Sequence, residues 1–384
     1  MDSMMTRLSS APIGAAALLA ALSVAAPAGA SAAPDRIYKS DGSIVDGVDV
    51  VSETIDMVTY KPEKGRGEEQ VESELVLRVE FTDRPEDIAA AEVDAANGAL
   101  LGAVSGFQTY LGGLGERGDR KHPWAAAYAQ FRLVEVFEQI NSEESIQSMV
   151  GAVDALVATY PDSRYVPIAF IKKFEAQLIH GDRAGAKATA EAFGALVQER
   201  DLAQRWKSEQ KLRAVLSDDS LTGTGLESAL EKISAEAAVF PTVANRADVA
   251  VAESMLGRGA FAEAEEAFSS VTESPNADDR TLAAAWCGLG DCIYRRAETQ
   301  AAAGDAEGSL PLFQQAQLAF MRVVVLYPTE LAYVPKSAFY AGRCIQEVGG
   351  ELAKDQSDRL FNFVSRNFRG SRWADSARQF KRRN

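Results

Sequence analysis

The chain has 384 residues, 47% of them apolar and 25% charged, which is enough to bury a sizeable core and too apolar for disorder to be the default. Its formal charge is −15 and it carries only three cysteines, so nucleic acid is not an expected partner of this acidic body and a disulfide framework is excluded.

From Met5 the sequence reads MTRLSSAPIGAAALLAALSVAAPAGASAAP. One cation at Arg7, an apolar run from about Ile13 to Ala26, and small residues at Ala28, Ala30 and Ala32 follow the order of a secretory signal peptide, with cleavage after Ala30 or Ala32. Residues 1–32 are therefore expected to direct export to the periplasm or the extracellular space. A retained membrane anchor is the alternative, since the run approaches the length of a spanning helix. No cysteine follows the run, so lipid anchoring is not expected.

Residues 33–83 have a different texture. DRIYKSDGSIVDGVDVVSETIDMVTYKP is rich in β-branched residues, and Asp41-Gly42 lies between two such runs, a dipeptide suited to a hairpin with positive φ at both central residues. Leu75, Leu77, Val79 and Phe81 alternate with polar or outward positions, predicting a strand with that set facing inward. Four or five short strands in so few residues predict a small SH3-like or Sm-like β-barrel, read as a docking or packing unit.

From Pro85 to the end, residues 84–384, the apolar period is helical. Gly98, Ala103 and Phe107 recur at the same offsets as Gly181, Ala186 and Ala190, and as Gly259, Ala264 and Phe268. A regular offset is the mark of a repeat: glycine ends one helix in a left-handed turn, and the small residue a turn into the next lets the two approach closely. A second phrase is written three times, as TYPDSRYVPIAF from Thr159, LYPTELAYVPKSAF from Leu326, and NFRGSRWADSA from Asn367. Pro161 and Pro328 force the preceding tyrosine out of the helical region, Asp162 and Ser163 can accept from exposed backbone donors, and Pro167 and Pro335 suit the first turn of the next helix. The phrase is read as a corner, softer in the third copy, where Arg369 replaces proline.

These residues resemble the tetratricopeptide repeat (TPR) family. Trp286, Leu289 and Gly290 match its first-helix positions, and Ala316, Phe320, Val323 and Pro328 its second-helix positions. The departure is about fourteen extra residues between Gly290 and Ala316, which prolong the helix pair or bulge from it. With the leader, the chain resembles exported cell-envelope TPR proteins, including TolA-binding division coordinators and outer-membrane assembly lipoproteins. The resemblance implies a mainly α solenoid of roughly seven antiparallel helix pairs that binds a protein or peptide partner in the envelope, without a cofactor and without catalysis.

The motifs that carry chemistry elsewhere are poorly placed here. Gly113, Gly115 and Gly118 spell GxGxxG but follow a helical segment rather than a strand. Arg117-Gly118-Asp119 is an adhesion tripeptide that arises often by chance. His122 and His180 lack metal-ligand partners at suitable spacing, and His180, before Gly181, is read as a charged imidazole favoured at a helix C-terminus. The acid pairs at Glu143-Glu144, Asp218-Asp219 and Asp278-Asp279 sit at expected helix starts or in polar loops. Cys287 and Cys292 stand five apart on one helix and point away from each other, leaving buried apolar residues or a bridge from Cys344 as the readings. Residues 359–384 carry a net +7 against about −22 for the remainder, which suits either a capping helix with a solvated basic face or a dock for an anionic surface.

The repeat's concave face, lined by first helices, is the expected binding surface, and aromatic or arginine anchors outside the repeat signature are its candidates: Trp124, Tyr128, Arg132, Tyr294, Arg295 and Arg343. Two other readings remain open at this point, an enzyme or carbohydrate-binding site at the junction of barrel and solenoid, and a self-associating structural component.

Overall fold

A computed structural model describes residues 34–63, 67–115, 118–369 and 371–383. The leader, residues 1–32, lies outside them, as does Arg117 of the tripeptide. Strands β1 (Asp35–Lys39), β2 (Ile44–Glu53), β3 (Met57–Pro62), β4 (Glu69–Glu72) and β5 (Val76–Glu80) form one antiparallel sheet in the order β4-β3-β2-β1-β5. The expected barrel is not there. β4 and β5 stand at opposite edges without pairing, and the sheet buries its apolar face against helices instead of against its own far half. Ile37, Val48, Val50, Ile55, Val58 and Phe81 belong to the same apolar cluster as Ile88, Phe107, Trp124 and Phe131.

Two local readings of the sheet also change. The hairpin at Asp41-Gly42 has positive φ only at Gly42, while Asp41 uses its carboxylate to accept from the backbone N–H and hydroxyl of Ser43 at 2.9 and 2.6 Å. In β5 the inward residues are Val76, Val79 and Phe81, and Leu75 and Leu77 are exposed. The pairing of β1 with β5 slips by one residue between Tyr38 and Lys39, and such a bulge exchanges the faces of everything beyond it.

Fifteen α-helices follow among the described residues: α1 (Glu86–Ala96), α2 (Leu100–Gly113), α3 (Ala125–Ile140), α4 (Glu143–Thr159), α5 (Tyr165–Ile179), α6 (Arg183–Glu199), α7 (Gln204–Leu216), α8 (Gly223–Glu236), α9 (Pro241–Gly257), α10 (Phe261–Thr272), α11 (Asp279–Ala302), α12 (Ala306–Leu326), α13 (Val334–Val348), α14 (Ala353–Asn367) and α15 (Arg372–Arg383). They form seven successive hairpins and a closing helix. Beyond α2, each odd-numbered helix packs on the next odd one, whereas even-numbered helices do not pack on one another to that extent. The odd helices therefore make the inner layer of a TPR-like solenoid.

The glycine punctuation does what its position requires. Gly98, Gly181 and Gly259 have φ of 76°, 80° and 83°, and the residue after each donates back five positions, as Asp182 N does to Gln177 O at 2.8 Å. Gly304 repeats the device between α11 and α12. The extra residues between Gly290 and Ala316 prolong this pair, giving helices of 24 and 21 residues.

All three copies of the repeated phrase are corners of one geometry. Tyr160, Tyr327 and Phe368 end their helices with φ of −128°, −125° and −125° and ψ of 55°, 52° and 47°. Each donates its N–H back to residue i−4 and accepts from residue i+3. Because Phe368 holds these angles before Arg369, proline reinforces the corner without being required for it.

Close packing between hairpins uses missing side chains. A Cβ on Gly290 would lie 2.7 Å from the Phe320 ring, one on Gly342 would lie 2.7 Å from Phe361, and one on Gly288 would run into Phe268. Gly290 and Phe320, separate signature positions in the sequence, are thus two halves of one contact. At the far end, Ala374 and Ala377 of α15 are buried against Phe339 and Phe361 and the rings of Trp373 and Phe380 pack beside them, so α15 caps the stack with Arg372, Arg378 and Lys381 exposed.

Candidate functional site

The first helices carry charge on their inner face. Glu138 on α3 accepts from Lys172 Nζ on α5 and from Arg280 Nη1 on α11, both at 2.6 Å. Arg280 also pairs with Glu175 on α5 at 2.8 Å. Arg213 on α7 bridges Glu175 at 2.9 Å and Glu209 at 2.5 Å, and Arg246 on α9 bridges Glu209 at 3.0 Å and Asp278 at 2.8 Å. Four cations and four carboxylates alternate in a single ladder that crosses five elements.

Arg213 and Glu209 are deeply buried, while Lys172, Glu138, Glu175, Arg246 and Arg280 each keep about a fifth of their side-chain surface open. The ladder thus lines a space rather than filling it. A cavity of about 590 Å³ opens between α3, α5, the start of α11 and the segment before α13, bordered by Glu138, Lys172, Arg246, Arg280 and Glu330. Asn141 closes its rim: at φ 51° it caps α3 in the left-handed region asparagine tolerates, donates from Nδ2 to Leu331 O at 3.3 Å, and meets His180 Nε2 at 3.1 Å. A neighbouring chamber of about 320 Å³ shares Arg246 and Arg280 with it and is walled by Phe174, Leu178, Leu212, Leu216, Val249 and Tyr333.

Burial pushes the Glu138 carboxyl up, but Lys172 and Arg280 outweigh it and hold the group down at about 2. A carboxylate whose folded value lies below its unfolded one contributes stability that is complete above the unfolded value, near 4.5, and is lost as pH falls toward 2. Stability measured by urea denaturation should therefore decline through that window by up to about 1.4 kcal/mol per pH unit for this group, and Glu138→Gln should flatten its share of the slope. An unchanged slope in the variant would sink this assignment. At His180 the expectation of a charged imidazole fails: burial beside Asn141 lowers its affinity for a proton, and Glu143 offsets this only in part.

The six residues singled out in the sequence are dispersed. Trp124 is buried and stacks on Phe81 with ring centroids 3.4 Å apart, and Tyr128 meets both edge-on while its hydroxyl donates to Glu92. Arg132, paired with Glu135, borders the larger cavity. Tyr294 is buried against Phe313 and Tyr340. Arg295 lies outside, paired with Glu298 at 3.0 Å, and Arg343 lies over the Phe380 ring at 4.4 Å. The ladder residues were missed because each looks ordinary alone; the available signal was charge set within an apolar stretch of a first helix, as in FIKKFEAQLI of α5.

Between sheet and helices, Glu53 and Arg164 form an ion pair with 3% and 4% of their side chains exposed, and Tyr165 donates to Glu53 at 3.0 Å. The cavity beside them contains two carboxylates, Glu53 and Asp162, and each is already engaged by an arginine, Arg164 and Arg200. All three cysteines are buried and unpaired, and burial pushes the Cys287 and Cys292 thiols up to about 11 and about 12, which leaves them unreactive. Among the described residues no group of three or more His, Cys, Asp or Glu could hold a metal ion, and no helix is long and apolar enough to cross a membrane.

Fold and site together define a class: a solenoid of paired helices with an ion-paired inner groove and no assembled catalytic constellation among the described residues. No family model matches the chain, and no match to it is found among curated proteins. Among solved structures it is similar to the crystal structure of a tetratricopeptide repeat protein from Parabacteroides merdae, at 11% identity and a TM-score of 0.41, over 77% of this chain and 96% of that one.

Proposed function

We propose that this protein is a non-catalytic scaffold whose inner groove holds an extended segment of another protein. The observation that carries the proposal is the open cavity of about 590 Å³ built from inner-layer positions of α3, α5, α9 and α11, lined by charged groups that remain accessible to water. Repeat solenoids use such concave surfaces because successive helices present equivalent positions along a continuous track. The leader-like residues 5–32 support placing this activity in the cell envelope, outside the cytoplasm, where the partner would also reside.

Photo-crosslinking tests the groove directly. With p-benzoylphenylalanine at Ile179, on the rim of both cavities, adducts with a defined partner should form in intact cells; at Leu318, exposed on α12 of the outer layer, they should not. Adducts from Leu318 alone would transfer binding to the outer surface and defeat the proposal. Recovery of the chain beginning at Ser31 or Ala33 from the envelope fraction would support export, and a cytoplasmic chain retaining Arg7 would contradict it.

A further inference from the structure

The smaller chamber has a chemistry of its own. Its walls are apolar on four helices: Phe174 and Leu178 from α5, Leu212 and Leu216 from α7, Val249 and Ala250 from α9, and Ala284 from α11, with Tyr333 closing the side toward α13. Its charged lining is Glu175, Arg213, Arg246, Glu253 and Arg280. Each of the three arginines is already bound to two carboxylates, and Glu175 is bound to two of those arginines. Glu253 differs, for no cation among the described residues lies within ion-pairing distance of it. Lys336, the cation acting most strongly on it, is engaged by Asp291. Glu253 is solvent-exposed and lines the chamber, and the desolvation of its surroundings raises its carboxyl above the ordinary range. The hydroxyl of Thr281, 2% exposed and lining the same chamber, has no hydrogen-bond partner.

A carboxylate without an ion-pair partner at the side of an apolar chamber selects against anions and against wholly apolar ligands, since either would cover it without supplying a counterion. It favours a cation on an aliphatic stem. The guanidinium groups offer an anion little, because their charge is already matched by Glu138, Glu175, Glu209 and Asp278. A lysine side chain has the required form: its methylenes can lie along Leu178, Leu216 and Val249 while the ammonium reaches Glu253. The chamber adjoins the larger cavity, sharing Ile179, Arg246 and Arg280 with it, so chain on one side of that lysine would have a neighbouring space to occupy.

Resting on the groove reading above, we infer that the chamber is a lysine pocket and that the partner segment presents a lysine flanked by apolar residues, with Glu253 as its counterion. Calorimetry on the full chain tests this with acetylated, amidated heptapeptides carrying Leu-Xaa-Leu at the centre, Xaa being lysine, norleucine or glutamate. The lysine peptide should bind, the other two should bind roughly ten- to a hundredfold more weakly, and Glu253→Gln should remove that preference while leaving the norleucine peptide unaffected. Equal binding of all three peptides would overturn the pocket and leave the groove standing. Full lysine affinity in Glu253→Gln would overturn it as well, as would 1,5-diaminopentane binding as tightly as the lysine peptide. Failure of every peptide to bind would defeat both readings.

Discussion

Arg164→Ala is expected to lower the stability of the folded chain by about 3–5 kcal/mol, because it leaves the Glu53 carboxylate buried without its counterion. The pair joins the end of β2 to the corner before α5, and it is reinforced there by backbone. Ile55 N donates to Asp162 O at 2.6 Å, Thr54 forms a bridge with Ser163, and further along Arg205 Nη1 donates to Glu74 O at 2.6 Å. An alanine at 164 therefore weakens the attachment of the sheet as well as the corner itself. Equilibrium urea denaturation checks the magnitude, and a loss below about 1 kcal/mol would show that water or rearrangement rescues Glu53. Combining Glu53→Leu with Arg164→Met should recover most of the loss, since exchanging a buried ion pair for well-packed apolar groups is often neutral or stabilising.

The second large effect lies in the longest hairpin. Phe320→Ala should cost about 3–5 kcal/mol, the range for deleting a fully buried aromatic ring. The ring sits against Gly290 and stacks on Tyr340 with centroids 5.5 Å apart, so it joins α11, α12 and α13 at one point. From the opposite side of the contact, Gly290→Ala should cost about 1–3 kcal/mol by overpacking, and it should cost less in a Phe320→Leu background than alone. Hydrogen exchange offers a second readout. A solenoid transmits stability through neighbouring repeats, so protection should fall first in α11–α13 and persist in the sheet. Uniform loss across the chain would count against a repeat architecture.

Much of the helical architecture was legible because its signals are local. A left-handed glycine, a tyrosine stopped before proline and an alanine a turn into a helix each act within a few residues, and they recur at the intervals the hairpins require. The third corner shows how far such reading extends: Phe368 was placed by alignment with Tyr160, and it adopts the same backbone angles despite losing the proline. The barrel failed for the opposite reason. Five strands can be read from alternation, but whether the first and last meet depends on what covers the sheet's open face, and that cover comes from helices later in the chain, with contacts as distant as Arg164 to Glu53, 111 residues apart. The face of β5 differs from the reading for a related cause: Leu77 is an extra residue in β5 opposite the step from Tyr38 to Lys39, and the pairing that makes it extra is set by β1.

The binding surface divides along the same line. The expectation that it lies on the inner layer of first helices follows from the repeat, whereas the residues that line the cavity proposed for it do not. Aromatics and arginines chosen for their type fell mainly into the core or onto the outside, because type does not reveal the direction a side chain takes once helices stack. Sequence alone determined the turns after Gly98, Gly181 and Gly259 and the three repeated corners, because caps and breakers satisfy or interrupt backbone hydrogen bonds within a few residues. Only the tertiary structure decided which charges meet, because Glu138 and Arg280 are 142 residues apart and become partners through the accumulated turn of the hairpins between them.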